Sequence, residues 1–318
     1  MSNEYIDFTQ SINVIKKIKN KLLKNPKFEY LLLGSIMLLA FFIRTRNLKF
    51  LDGKYLLGLD PYYYLRQSTE ILSYGKLPYP DLMRNAPFGI EKGFDLFPYF
   101  LAYFSKFMNL FGLSTVEAHI IYPSLFMVLS LIPFYFFIKI IFGKKIALLS
   151  ALILSILPSY LFRTVSGFSD HESISMLFIF SALYFLAKSE NFNSSKKYVY
   201  TSLAGFFTFL MSITWGAYPF LFIIIGTYFL LKLFFSEFDY RNFLIFISVL
   251  LIPFTIIKGI NLSDFGLLYL MLILVLVLFN EKINFEKRLK IPNIISAILF
   301  VGMLGLILIF ISDSISLT

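Results

Sequence analysis

The amino-acid sequence predicts an all-α polytopic membrane protein of about nine transmembrane helices, with one long loop after the first of them. Three observations carry this expectation. Hydrophobic residues make up 58% of the 318 and charged residues 15%, against about a quarter charged in an ordinary soluble domain. The apolar runs have the length that crosses ~30 Å of hydrocarbon at about 1.5 Å per helical residue. No run alternates polar and apolar residues like a barrel strand, and a backbone in lipid must satisfy its own hydrogen bonds, so the spans are helices.

Taken in order, residues 1–28 are polar and lysine-rich ("NVIKKIKNKLLKNPK") and read as a cytoplasmic tail. The run "YLLLGSIMLLAFFI" is followed by "RTRNLKF" without a small-residue cleavage site, so it reads as an uncleaved first span. The membrane core then occupies 29–318, with its long external loop at 49–117. Within that loop, 94–113 is interrupted by Asp95, Lys106 and Asn109 and predicts an amphipathic helix in the membrane interface. Eight further spans are expected near 118–138, 146–162, 174–187, 198–212, 215–231, 242–257, 264–279 and 291–311.

Charge supports this count. With the amino terminus inside, the inner segments 1–28, 139–145, 188–197, 232–241 and 280–290 hold 18 of the 29 Lys and Arg. The short outer loops 162–173, 258–263 and 312–318 hold only Arg163 and Lys258. The remaining nine lie between Arg44 and Lys106, mostly on the long outer loop where the positive-inside rule weakens. A tenth span at 94–113 would put the lysine-rich loops outside. The net charge of +10 therefore points to anionic membrane lipids as a partner and not to nucleic acid. The absence of cysteine excludes disulfides, thiolate metal sites and cysteine nucleophiles.

Two acidic stretches, "GLDPYYYLR" (58–66) and "RTVSGFSDHES" (163–173), fall on the same outer side. Asp60, Asp170 and Glu172 could therefore meet in space. Three carboxylates brought together repel unless a cation joins them, and hard oxygen ligands suit Mg²⁺ or Mn²⁺. Each residue also has a plainer reading. Ser169 with Glu172 fits a capping box, Asp170 suits the positive end of a helix, and Asp60 before Pro61 suits a helix start. His171 reads as oriented away from the acids or solvent-facing, with a ligand role as the lesser alternative. Arg163 reads either as an interfacial anchor or as a holder of an anionic group.

At these residues the chain resembles the catalytic subunit of oligosaccharyltransferase, a membrane glycosyltransferase of the GT-C type, in its archaeal branch. "GLDPYYYLR" resembles the first acidic motif of that family. "RTVSGFSDHES" resembles the second, and "SITWGAY" (212–218) resembles a Trp-Gly turn further along. The order of spans and loops agrees. The resemblance implies a GT-C fold and transfer of an oligosaccharide from a dolichol-type lipid phosphate carrier to Asn of Asn-x-Ser/Thr in an acceptor polypeptide. It implies Mn²⁺ or Mg²⁺ held by Asp60, Asp170 and Glu172, with Arg163 supporting the acids. It also implies substrate contacts from Tyr62, Tyr63 and Trp215. In the family this chemistry lies outside the cytoplasm, at a cell membrane protein whose amino terminus is inside.

Family members continue into a fifth external loop with another acidic motif and into a soluble carboxy-terminal domain. The sequence stops before both, which predicts an amino-terminal portion of such an enzyme. The alternatives are an inactive or accessory subunit that binds lipid-linked glycan, and another GT-C enzyme using a lipid-phosphate sugar. Transport is disfavoured, because the spans are nearly free of ionisable groups at mid-membrane.

Overall fold

The computed structural model describes residues 26–283, apart from 92, 236, 237, 262 and 263. The expected span at 291–311 and most of the amino-terminal tail lie outside the described residues. Twelve helical segments follow one another: α1 Pro26–Thr45, α2 Leu48–Leu51, α3 Asp60–Tyr74, α4 Leu96–Asn109, α5 Thr115–Phe142, α6 Lys144–Ile156, α7 Pro158–Phe162, α8 Glu172–Ser189, α9 Lys196–Ser212, α10 Tyr218–Phe235, α11 Tyr240–Lys258 and α12 Phe265–Ile283. Among the described residues the β structure is limited to one isolated bridge, Asp81 to Ile90.

Among the described residues, four helical stretches are long and apolar enough to cross a membrane: Lys27–Leu51, Thr115–Phe142, Glu172–Ser189 and Tyr240–Lys258. Shorter apolar helices run over Tyr218–Leu233 and Phe265–Leu278. The expected span at 198–212 falls in α9, which is not among these apolar helices, and another expected span is interrupted. The run 146–162 is not a single helix but α6 and α7, meeting at Leu157 in extended conformation (φ −61°, ψ 119°). Pro158 causes the break, since it lacks an N–H and pushes the preceding residue out of the helical region. The 94–113 stretch is helical over Leu96–Asn109, where Phe97, Leu101 and Ala102 are buried and Tyr103 and Phe107 are exposed.

The chain forms two compact units, one of residues up to Leu65 with Ser105–Leu177, the other of Arg66–Phe104 with the residues from Phe178 onward. In the first, α1 packs on α5 and α6. Its core joins Leu33, Tyr135, Ala147 and Ala151, and beside them Ala40, Met127, Val128 and Leu131. Small residues on α6 let the helices approach closely, as lipid-embedded helices do. Buried Glu29 ties the start of α1 to Tyr135 and Lys139 near the end of α5.

In the second unit α9 packs on α11 and α10 on α12. Gly205 makes the first contact possible, because a Cβ there would sit 2.9 Å from the carbonyl oxygen of Phe246. Asp239 starts α11 by accepting from the Asn242 N–H at 3.0 Å and pairs with Lys197 at 2.9 Å. The Asp81–Ile90 bridge pins the loop after α3, and Arg66 reaches Asp81 at 2.5 Å and Glu70 at 2.8 Å.

Candidate metal site at the start of α8

The segment between α7 and α8 is shaped by α1 and α5. The N–H of Gly167 donates to the Ile120 carbonyl at 2.8 Å, and that of Ser166 to the Arg44 carbonyl at 3.0 Å. Ser124 and Ser166 share a buried hydroxyl pair at 2.8 Å. The Arg44 guanidinium, fully buried, donates to Thr164 Oγ1 at 2.8 Å and to the Ser155 carbonyl at 2.6 Å. Gly167 is required where it stands: its φ is +90°, and a Cβ would meet Leu51 Cδ1 at 2.8 Å.

The start of α8 is capped from outside. Tyr122 on α5 donates its hydroxyl proton to the Asp170 carbonyl at 3.1 Å and accepts from the Ile174 N–H at 3.2 Å. The expected capping box is not formed. Ser169 Oγ instead pairs with His119 Nδ1 at 3.0 Å, and the Glu172 carboxylate turns to Arg163. A phenol on a neighbouring helix thus does what the local serine does elsewhere, which frees Glu172 for the site.

That site is small and buried. Ligating atoms of Asp170, His171 and Glu172 lie within 4.8 Å of one another. Asp170 is 1% exposed and Glu172 7%. Each carboxylate has one oxygen engaged and one free. Asp170 Oδ1 accepts from the His171 backbone N–H at 2.8 Å and lies 2.7 Å from His171 Nδ1. Glu172 Oε1 accepts from Arg163 Nε at 2.6 Å and also faces Arg163 Nη2. Asp170 Oδ2 and Glu172 Oε2 are buried and make no hydrogen bond within the protein. Arg163 Nη2 lies 3.7 Å from that Asp170 oxygen. Burial raises the Asp170 carboxyl, but hydrogen bonds and charge from His171, joined by the Arg163 charge, outweigh it and hold Asp170 below the usual carboxylate range.

One guanidinium therefore faces two buried carboxylates, and two buried oxygens lack donors. Leaving such groups unmatched is costly. A divalent cation on Asp170 Oδ2 and Glu172 Oε2 would resolve both deficits, so the donor set fits a hard metal ion.

The remaining expected site residues fall as follows. Asp60 opens α3 and is exposed; it stands outside the set of atoms within 4.8 Å. His171 is not turned to solvent: its ring is held between Asp170 and Tyr64, whose hydroxyl is 3.1 Å from Nδ1. The reason is that burial of the Asp170 carboxylate needs a donor, and the adjacent imidazole supplies it. Tyr62 is exposed and its hydroxyl accepts from the Leu56 N–H at 3.1 Å. Tyr63 packs against Tyr64 at 5.2 Å between ring centroids. Trp215 belongs to the second unit, half-buried in the turn before α10. The composition of the motif gave no signal for Tyr122 or His119, which come from a distant helix. Tyr64, one turn after Asp60, was within reach of helical periodicity.

Fold and site together define an integral membrane protein of bundled helices with an acidic pair and a basic partner at the mouth of one of them. The chain belongs to the oligosaccharyl transferase STT3 family, amino-terminal part, whose family model matches residues 30–316. It is 31% identical over 170 residues to dolichyl-phosphooligosaccharide-protein glycotransferase 1 of Pyrococcus furiosus, covering 53% of this chain and 18% of that protein. It is 28% identical over 192 residues to glycotransferase 2 of the same description from Archaeoglobus fulgidus, covering 59% of this chain and 31% of the relative. The chain thus spans a third or less of the length of these curated relatives.

Its fold is that of the Archaeoglobus fulgidus oligosaccharyltransferase. A crystal structure of that protein with zinc and sulfate superposes with a TM-score of 0.67 at 21% identity, over 86% of this chain and 40% of the other. A structure with an inhibitory peptide and a dolichol-phosphate gives 0.64 at 20% identity, over 86% and 37%.

Proposed function

We propose that this chain forms the amino-terminal membrane portion of an enzyme that transfers an oligosaccharide from a dolichol-type lipid phosphate carrier to Asn in Asn-x-Ser/Thr. The observation that carries the reading is the buried pair Asp170 and Glu172, each with one carboxylate oxygen lacking a donor, on the motif that resembles the second acidic motif of the family. Relatives bearing the glycotransferase description support it.

In this reading Asp60, Asp170 and Glu172 hold Mn²⁺ or Mg²⁺, which supplies Lewis-acid polarisation and charge neutralisation at the lipid phosphate leaving group. A structural neighbour, the Archaeoglobus fulgidus oligosaccharyltransferase, was crystallised with zinc and sulfate, which accords with a divalent ion in this reading. Asp60 holds the acceptor carboxamide by a hydrogen bond, which orients a poor nucleophile. Burial and the Asp170 charge push the Glu172 carboxyl up, Arg163 opposes that rise, and its guanidinium adds positive charge where negative charge develops. Tyr62, Tyr63 and Trp215 line the path of lipid-linked glycan and acceptor polypeptide. The amino terminus faces the cytoplasm, nine spans follow, and the acidic residues face outward, with the loops at 49–117 and 162–173 on that side.

The test is glycan transfer to a sequon peptide by the complete native protein in membranes. Asp170→Ala and Asp60→Ala are each expected to reduce turnover at least a hundredfold, since loss of a metal ligand removes several kcal/mol of transition-state stabilisation. Turnover within threefold of the parent protein for both would overturn the assignment.

A further inference from the structure

Helix α3 opens at Asp60 and carries Tyr64 four residues on, so the two side chains lie on one face of that helix. Tyr64 is buried at 8% exposure, and its ring meets the His171 ring edge-on, with centroids 6.0 Å apart and an interplanar angle of 88°. The Tyr64 hydroxyl lies 3.1 Å from His171 Nδ1, and the same nitrogen lies 2.7 Å from Asp170 Oδ1.

A carboxylate can only accept, so a nitrogen 2.7 Å from it must carry the proton. The other neutral tautomer would aim an Nδ1 lone pair at the negative charge. Nδ1 of His171 therefore carries a proton, with the Tyr64 oxygen beside it. The backbone N–H of His171 donates to Oδ1 of Asp170 at 2.8 Å, and the ring nitrogen Nδ1 stands 2.7 Å from the same oxygen. They leave Oδ2 as the oxygen without a hydrogen bond. His171 thus decides which oxygen of Asp170 is free, and Tyr64 decides how the ring of His171 stands.

We propose that Tyr64 and His171 are positioning residues: they register the helix that begins at Asp60 against Asp170, and they reserve Asp170 Oδ2 as the ligand oxygen for the divalent cation. This rests on the metal reading given under the proposed function. Residues behind a metal ligand that fix its orientation change affinity by about 10–100-fold when removed.

The chain has two histidines, His119 and His171, which makes the test direct. In the full-length native protein labelled with ¹⁵N-histidine and freed of metal, the ring signals missing from His171→Asn belong to His171. They are expected to report Nδ1 protonated. Mn²⁺ titration followed by electron paramagnetic resonance then measures affinity. Tyr64→Phe and His171→Ala are each expected to weaken Mn²⁺ binding about tenfold or more. His171→Asn, whose amide N–H takes the place of Nδ1–H, is expected to recover most of the loss.

Wild-type Mn²⁺ affinity in both Tyr64→Phe and His171→Ala would overturn the proposal, as would a metal-free His171 protonated on Nε2 alone. So would hyperfine coupling from the His171 nitrogen to bound Mn²⁺, which would make it a ligand. A wild-type chain that shows the Nδ1–H form and binds no Mn²⁺ would overturn the metal reading and, with it, the role given to Oδ2.

Discussion

Arg163 places Nε and Nη2 on the same oxygen of Glu172, not one on each. A side-on pairing that engaged both oxygens would leave neither oxygen of Glu172 without a donor. The guanidinium also rests over the Phe168 ring, 4.7 Å from its centroid, so its orientation is set by packing as well as by charge. Removing it should expose how strained the acidic pair is. Arg163→Met is expected to lower the stability of the metal-free protein by about 2 kcal/mol, between the values for exposed and fully buried pairs because the arginine side chain is 42% exposed. Added Mn²⁺ should restore most of the loss, because the ion supplies the missing charge. Thermal melting with and without Mn²⁺ checks both halves; a loss that Mn²⁺ leaves unchanged would argue that Arg163 acts by packing alone.

The elements around the site are set partly by local rules and partly against them. Proline breaks the run at 146–162 and creates the short α7, which carries the chain to Arg163 at its end. Ser169 and Glu172 satisfy the sequence rule for a capping box, yet α8 is capped by Tyr122 because burial beside His119 gives Ser169 a better-matched partner. The loop after α3 is held by the Arg66–Asp81 ion pair beside the Asp81–Ile90 bridge. Burial raises the Asp81 carboxyl, but the hydrogen bond and charge of Arg66, with the Met83 N–H, outweigh this and hold it below the usual carboxylate range. A depressed folded value means that stability is present above the ordinary aspartate value near 4 and is lost as pH falls through the folded one. Asp81→Asn is therefore expected to make the loop at 75–91 more sensitive to proteolysis at pH 7 than the parent, with the difference closing towards pH 3. A difference that persists unchanged at pH 3 would assign the effect to shape and not to the charge of Asp81.

At the scale of the whole molecule, the family match spans 30–316, while each curated relative is covered to a third of its length or less. The arrangement across the membrane can be tested directly, because the chain contains no cysteine. Lys76 and Lys196 are both exposed, on the loop after α3 and at the start of α9. Single variants Lys76→Cys and Lys196→Cys should behave oppositely towards a membrane-impermeant maleimide on intact cells. Lys76→Cys is expected to label at once, and Lys196→Cys only after permeabilisation. Equal labelling of both on intact cells would overturn the proposed topology.

The sequence by itself determined that the chain is helical and membrane-embedded, because apolar run length and charge placement are one-dimensional properties that the bilayer reads directly. It also pointed to an ionic cluster, since Arg163, Asp170 and Glu172 fall within ten residues and their side-chain types alone imply one. Tertiary structure decided how that cluster is arranged. It brought Tyr122 and His119 from α5 and Tyr64 from α3, turned His171 inward, and chose which carboxylate oxygens stay unpaired. Those choices depend on helices meeting across tens of residues, where each buried donor must find an acceptor in three dimensions, and no local pattern records which one it finds.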